Sequence, residues 1–227
     1  MMEVRRPNRA RSAFRIMSIA LLAGFLAILA YAAIGYIDAM RDAPSLKARA
    51  NRLIDQRRGP DALTPAELRQ LIRVEDPNFW HHHGVDNETP GAGVTTITQS
   101  LSKKLAFDHF KPGFKKIRQT AYAKGLEARL SKRQILALFL DSAQLNLGPK
   151  GWMQGMFAAS EQLYGKPPAA LTKPQWLRLV AALVAPADFH LIGPNPRLDE
   201  RVRRIERLLA GRCQPQGNRD VMLDGCA

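Results

Sequence analysis

Glu75 is the residue in this 227-residue chain best placed for acid–base chemistry. It lies seven residues after Leu68 and four after Leu71, so a helix puts it on the face those leucines bury. Pro77 ends that helix, leaving the carboxylate in the last turn, where the negative end of the dipole disfavours its charge. Partial burial and the dipole both raise a carboxyl pKa, as a general base working near neutrality requires. The same spacing also fits a frayed helix end with a solvated glutamate, and periodicity alone does not separate the two. Next come three consecutive histidines, His81, His82 and His83, and then Asp86. Adjacent residues do not face one another on a regular element and no i,i+4 histidine pair occurs, so histidines packed around a cleft are expected and a metal site is not.

Two further stretches suit an anion. In GVTTITQSLSKKL (93–105), a helix capped by Thr96 carries Gln99 and Lys103 on one face, close to N-terminal amides. Ten residues later Lys115, Lys116, Arg118 and Lys124 crowd one helix, on which Lys115, Gln119 and Tyr122 share a face. That helix reads either as a pyrophosphate cradle or as a solvated basic surface.

The elements that must hold these residues are helices. Thr64–Glu67, Thr96–Gln99, Ser131–Gln134 and Thr172–Gln175 each have the Ser/Thr-x-x-Glu/Gln form of a capping box, and Pro65 occupies a first helical position. Apolar residues then recur at helical spacing, as in Ile135, Leu138 and Phe139, or Leu177, Val180, Ala181 and Val184. No run alternates as a strand would, so the expected class is mostly α.

The chain carries a formal net charge of +14, which predicts an anionic partner. Residues 16–37 form an uncharged run of 22, long enough to cross a bilayer and longer than the usual apolar region of a cleaved signal. Arg5, Arg6, Arg9, Arg11 and Arg15 against Glu3 give a local net of +4 before it, which by the positive-inside rule keeps the N-terminus cytoplasmic. The expected layout is a basic tail (1–15), a transmembrane helix (16–37), a polar stalk (38–61), a helical domain (62–211) and a polar C-terminal tail (212–227). A domain outside the cytoplasm and beside a membrane has no use for nucleic acid; anionic lipid headgroups or a lipid-linked phosphate fit the charge. An oxidising compartment would also permit a bridge between Cys213 and Cys226.

Taken in order, EDPNFWHHHGVD (75–86), GVTTITQSLSKKL, KKIRQTAYAKGLEARLSKRQILALFLDSAQLNLG (115–148), GMFAASEQLYGK (155–166) and the stretch 171–205 resemble the ordered motifs of glycosyltransferase family 51. These are the peptidoglycan glycosyltransferases of class A penicillin-binding proteins and of monofunctional, membrane-anchored enzymes. The resemblance implies a lysozyme-like helical fold and polymerisation of lipid II into glycan strands at a bacterial inner membrane, with the working domain periplasmic. It implies Glu75 as the base. It implies substrate-binding roles for Asp76, His82, Asp86, Thr96, Gln99, Lys103, Lys115, Lys116 and Gln119. Lipid II, nascent glycan, the membrane and other wall-synthesis proteins are the implied partners.

Three departures bear on activity. Gln119 stands where the family's third motif carries a glutamate thought to assist catalysis or to help hold a divalent cation, magnesium or manganese, near the pyrophosphate. An amide binds such an ion weakly and is no base, so reduced activity is expected, and Glu127, two turns further on, is badly placed to substitute. Ala137 and Asp141 replace the usual Glu and Asn of the fourth motif, and the segment between Asp86 and Gly93 is short. The alternatives are a non-catalytic relative that binds lipid II or glycan and scaffolds wall synthesis, or a glycan-cleaving transglycosylase on the same fold.

Overall fold

The structure is a computed structural model that describes residues 9–93, 95–149 and 151–227. Glu3, Arg5 and Arg6 of the basic tail lie outside the described residues. The chain is mostly helical: α1 (Arg9–Asp55), α2 (Pro65–Glu75), α3 (Ile97–Leu105), α4 (Lys115–Glu127), α5 (Lys132–Ser142), α6 (Met156–Tyr164), α7 (Lys173–Ala182) and α8 (Pro196–Leu209). All four expected capping boxes close, at the starts of α2, α3, α5 and α7. Each satisfies a pair of backbone donors that a helix start otherwise leaves open.

Between α5 and α6 the sequence reading missed a small antiparallel hairpin, β1 (Gln144–Gly148) with β2 (Gly151–Gln154). Its burial pattern breaks the alternation that would have marked it, because Leu145 and Asn146 are both buried. The core is built from Leu71, Ile135, Leu136, Leu140, Leu177 and Trp176, all essentially inaccessible to solvent.

The largest difference from expectation is in the first element. The apolar run and the segment read as a stalk are one continuous helix, and residues 38–55 are part of the domain. Ala39, Ala43, Leu46, Ala50 and Leu53 are buried at 4-3-4-3 spacing, the seam of a helix packed on helices. The fit against α4 is close: a Cβ on Gly125 would stand 2.6 Å from the Ala39 Cβ, and one on Gly35 would stand 2.5 Å from the Arg118 carbonyl oxygen. Polar ties flank the seam. Arg118 donates to Asp38 (2.7 Å) and the Tyr122 hydroxyl to Asp42 (2.6 Å). Asp141 of α5 receives Arg49 (2.6 Å) and Arg58 (2.9 Å), so this departure from the motif anchors α1.

The other half of α1 has no such partner. Ile16, Ile19, Leu21 and Leu22 are all more than half exposed, and the most apolar window has a mean hydropathy of 2.3 with none of it buried. The helix is long and apolar enough to cross a membrane.

Candidate active site

Glu75 is the last residue of α2, half-buried, and its carboxylate has no hydrogen-bond partner among the described residues. Burial pushes the carboxyl up to about 7; the Arg201 guanidinium pulls against this and the neighbouring Asp76 adds to it. The half-buried position of Glu75 at the end of α2 departs from the solvated alternative the sequence left open. Glu75 lines a cavity of about 230 Å³ with Lys103, Lys104, Ser142, Gln144 and Leu183. A second cavity of about 910 Å³ continues from it, sharing Lys103, Lys104, Ser142 and Gln144 and reaching Phe107 and Phe110.

The acid is held by its neighbour. Asp76 is completely buried and accepts from His82 Nε2 at 2.9 and 3.0 Å and from the Ile97 N–H at 2.9 Å. His82 Nδ1 in turn accepts from the Gly84 N–H at 3.0 Å, which fixes the ring proton on Nε2. One carboxylate therefore ties the end of α2 to the start of α3. The network continues through Thr96, whose hydroxyl donates to the Gly84 carbonyl (2.8 Å) and accepts from the Gln99 N–H (3.1 Å). Gln99 Nε2 donates to Thr120 Oγ1 (3.0 Å), and Gln119 Nε2 donates to the Gln99 carbonyl (2.7 Å). Gly84 has φ +88° and a Cβ there would stand 3.1 Å from the Ala123 carbonyl oxygen, so this turn needs glycine.

The expected substrate-binding residues thus divide. Asp76, His82, Asp86, Thr96, Gln99 and Gln119 are at most 7% exposed and each makes internal hydrogen bonds, although Asp86 Oδ2 and Gln119 Oε1 are buried without a partner among the described residues. They hold the site instead of facing it. Asp86 Oδ1 accepts from the Glu88 and Thr89 N–H groups at 2.9 Å each. Desolvation raises its carboxyl, but these bonds, with others from Thr89 and Asn78, outweigh that and leave it at about 2. Of the histidines only His82 is buried. Lys115 donates to the His109 carbonyl (2.7 Å) and stands 5.9 Å from the Phe107 ring centroid; it does not line the Glu75 cavity.

Lys103 does line it, on the wall formed by α3. Burial, then repulsion from Lys116 and Lys104, pushes its ammonium down to about 8. Lys104 donates to Gln144 Oε1, and Lys116 donates to Thr95 Oγ1 (3.2 Å). Burial lowers both of these lysines as well. Repulsion on Lys103 from Lys116 and Lys104 means that it gains by an anion arriving beside it. Sequence reasoning missed Lys104, Ser142, Gln144 and Arg201. Arg201 sits among four other arginines of α8, and nothing in the pattern marks it as the buried one.

Glu127, the poor substitute for the glutamate missing at Gln119, and Ala137, a departure in the fourth motif, both have structural roles. Glu127 accepts from Thr98 (2.6 Å) and Lys132 (2.8 Å), and Ala137 is fully buried. Cys213 and Cys226 are joined in a disulfide.

Residues 44–210 match a protein family described as Transglycosylase. The chain is 29% identical over 161 residues to penicillin-binding protein 4 of Bacillus subtilis, covering 65% of this chain and 25% of that one. It is 29% identical over 181 residues to a biosynthetic peptidoglycan transglycosylase of Caulobacter vibrioides (70% and 74% covered). It is 30% identical over 166 residues to one of Neisseria gonorrhoeae (66% and 68%). The chain spans 22 to 29% of the length of the penicillin-binding proteins it matches.

Proposed function

Since this chain belongs to the transglycosylase family, we propose that it polymerises lipid II into peptidoglycan glycan strands, with Glu75 as the general base. The observation that carries the reading is a half-buried carboxyl with pKa about 7 sharing one cavity with Lys103 and Lys104. In the proposed reaction Glu75 takes the proton from the 4-hydroxyl of an incoming lipid II. The oxygen then bonds to the anomeric carbon of the growing chain's reducing-end sugar, whose bond to the lipid pyrophosphate breaks. Lys103, Lys104 and Lys116 receive the charge that develops on the departing pyrophosphate.

A divalent cation fits this wall poorly. The cavity offers Glu75 against two lysines, and Gln119, where the resemblance expects a carboxylate, is a buried amide bonded to a backbone carbonyl. Among the described residues no group of three His, Cys, Asp or Glu could hold a metal. Any magnesium or manganese would enter on the substrate's own pyrophosphate.

The proposed setting is a bacterial inner membrane, with the N-terminus cytoplasmic and the domain periplasmic. The exposed apolar half of α1 supports this setting, as does the close contact at Gly35 that sets α4 near the membrane boundary. The test is purified full-length protein incubated with labelled lipid II, with Glu75→Gln beside it. Loss of a positioned base is expected to lower the rate by about 10²–10⁴. One observation favours a second reading, a lipid II binder without turnover: among the described residues no second carboxylate lines the Glu75 cavity. Tight lipid binding with no polymer from the unaltered protein would establish it.

A further inference from the structure

The C-terminal tail lies beyond the stretch that matches the family, yet it touches both sides of the site. Three arginines of α8 hold it from one side. Arg201 Nη1 donates to the Val221 carbonyl (2.6 Å), Arg204 Nη1 to the Met222 carbonyl (3.2 Å) and Arg207 Nη1 to the Cys226 carbonyl (2.5 Å). On the other side the Gly91 N–H donates to the Gly217 carbonyl (2.9 Å) and the Gly93 N–H to the Asn218 carbonyl (2.7 Å). Asn218 Nδ2 donates to the Thr89 carbonyl (3.2 Å). A Cβ on Gly91 or Gly93 would stand 2.8 Å from Pro215 or 2.6 Å from Val221, so the two strands of chain meet with no room for side chains.

The tail is stiff enough to transmit this. The disulfide closes it into a loop, and within that loop Asp220 accepts from the N–H groups of Gln216, Asp224 and Gly225. Leu223 and Cys226 are 1% exposed. What the tail grips is one step from the chemistry. Segment 89–93 leads toward the Thr96 cap of α3, which carries Lys103. Arg201 is 4% exposed, donates through Nε to the Ala181 carbonyl (3.1 Å), and is an electrostatic neighbour of Glu75.

We propose that residues 213–226 act as a positioning strap, holding Arg201 and segment 89–93 so that Glu75 and Lys103 keep their places across the cavity. This rests on the function proposed above. Two carbonyls hold the Arg201 fork, so it supports Glu75 through charge without pairing with it. Once the Val221 carbonyl is withdrawn, the freed edge of the guanidinium turns to Glu75 and ties up the base.

The test compares the full-length protein with the Cys213→Ser/Cys226→Ser pair and with Asn218→Ala, which keeps the disulfide. Amide exchange over 89–93 and the pH dependence of lipid II polymerisation are both measured. In each variant exchange at Gly91 and Gly93 is expected to quicken by about tenfold or more. Turnover is expected to fall by about tenfold, with the acidic limb of the profile moving to lower pH. Unchanged exchange in both variants overturns the strap, and faster exchange with an unmoved limb overturns its link to Glu75. Exchange is read without substrate, so an unaltered protein that makes no polymer condemns the functional reading separately.

Discussion

Two groups of polar residues lie within one short stretch of chain, and they are treated in opposite ways. Asp76, His82, Thr96, Gln99 and Gln119 are buried and bonded to one another or to backbone. Glu75 and Lys103 are only half-buried, and each is pushed toward neutrality, the acid up to about 7 and the base down to about 8. The first group contributes stability through the hydrogen bonds it makes, although Gln119 Oε1 stays buried without a partner among the described residues. The second costs stability by being left incomplete until substrate arrives, as expected of working groups. The adjacent pair Glu75 and Asp76 shows the contrast most sharply: two carboxylates, one reactive and one structural, separated by which side of the helix end each occupies.

Substitution at these two neighbours should therefore act in opposite directions. Asp76→Ala leaves the His82 and Ile97 donors unsatisfied in the interior, and should destabilise the fold by about 2–5 kcal/mol in thermal or denaturant unfolding. Glu75→Gln should instead stabilise it. The folded-state pKa lies above the ordinary 4.5, so the folded chain holds this proton more tightly than the unfolded one. That advantage is complete below pH 4.5 and is lost as pH rises through about 7. At pH 8 the glutamine variant should be more stable by about 1–3 kcal/mol, a gain that vanishes near pH 4. An equal effect at both pH values would break the comparison.

Gln119→Glu has the smallest expected effect and sharpens the role of the departure from the family motif. Its carboxyl would meet the Gln99 carbonyl at the place where the amide now donates. It should enter protonated, cost about 1–2 kcal/mol, and bring no gain in polymerisation rate. A clear gain in rate would show that this position reaches the substrate after all.

Much of this was legible in the sequence. Capping boxes are local chemistry, so four helix starts could be read from four-residue patterns. The spacing of Glu75 to Leu68 and Leu71 put a half-buried carboxyl beside a solvated one as its two readings, and only the fold chooses between them. The second half of α1 was also written in the sequence, in the 4-3-4-3 spacing of Ala39, Ala43, Leu46, Ala50 and Leu53, but alanines between charges look like a solvated stalk until a partner helix is known. Which polar residues face inward was not legible. Asp76 and Glu75 differ in role through contacts with His82, Ile97 and Arg201, made across 6 to over 100 residues of chain. The tail's grip on segment 89–93 is of the same long range as the Glu75–Arg201 approach, and no periodicity encodes it.

The measurement that bears most directly on the central claim is kcat/KM for lipid II polymerisation as a function of pH, which reports groups of the free protein. Glu75 must lose its proton and Lys103 must keep its own, so the profile should be a narrow bell, rising through about 7 and falling through about 8. A rate that stays flat from pH 5 to pH 9 would mean that neither side chain carries the reaction.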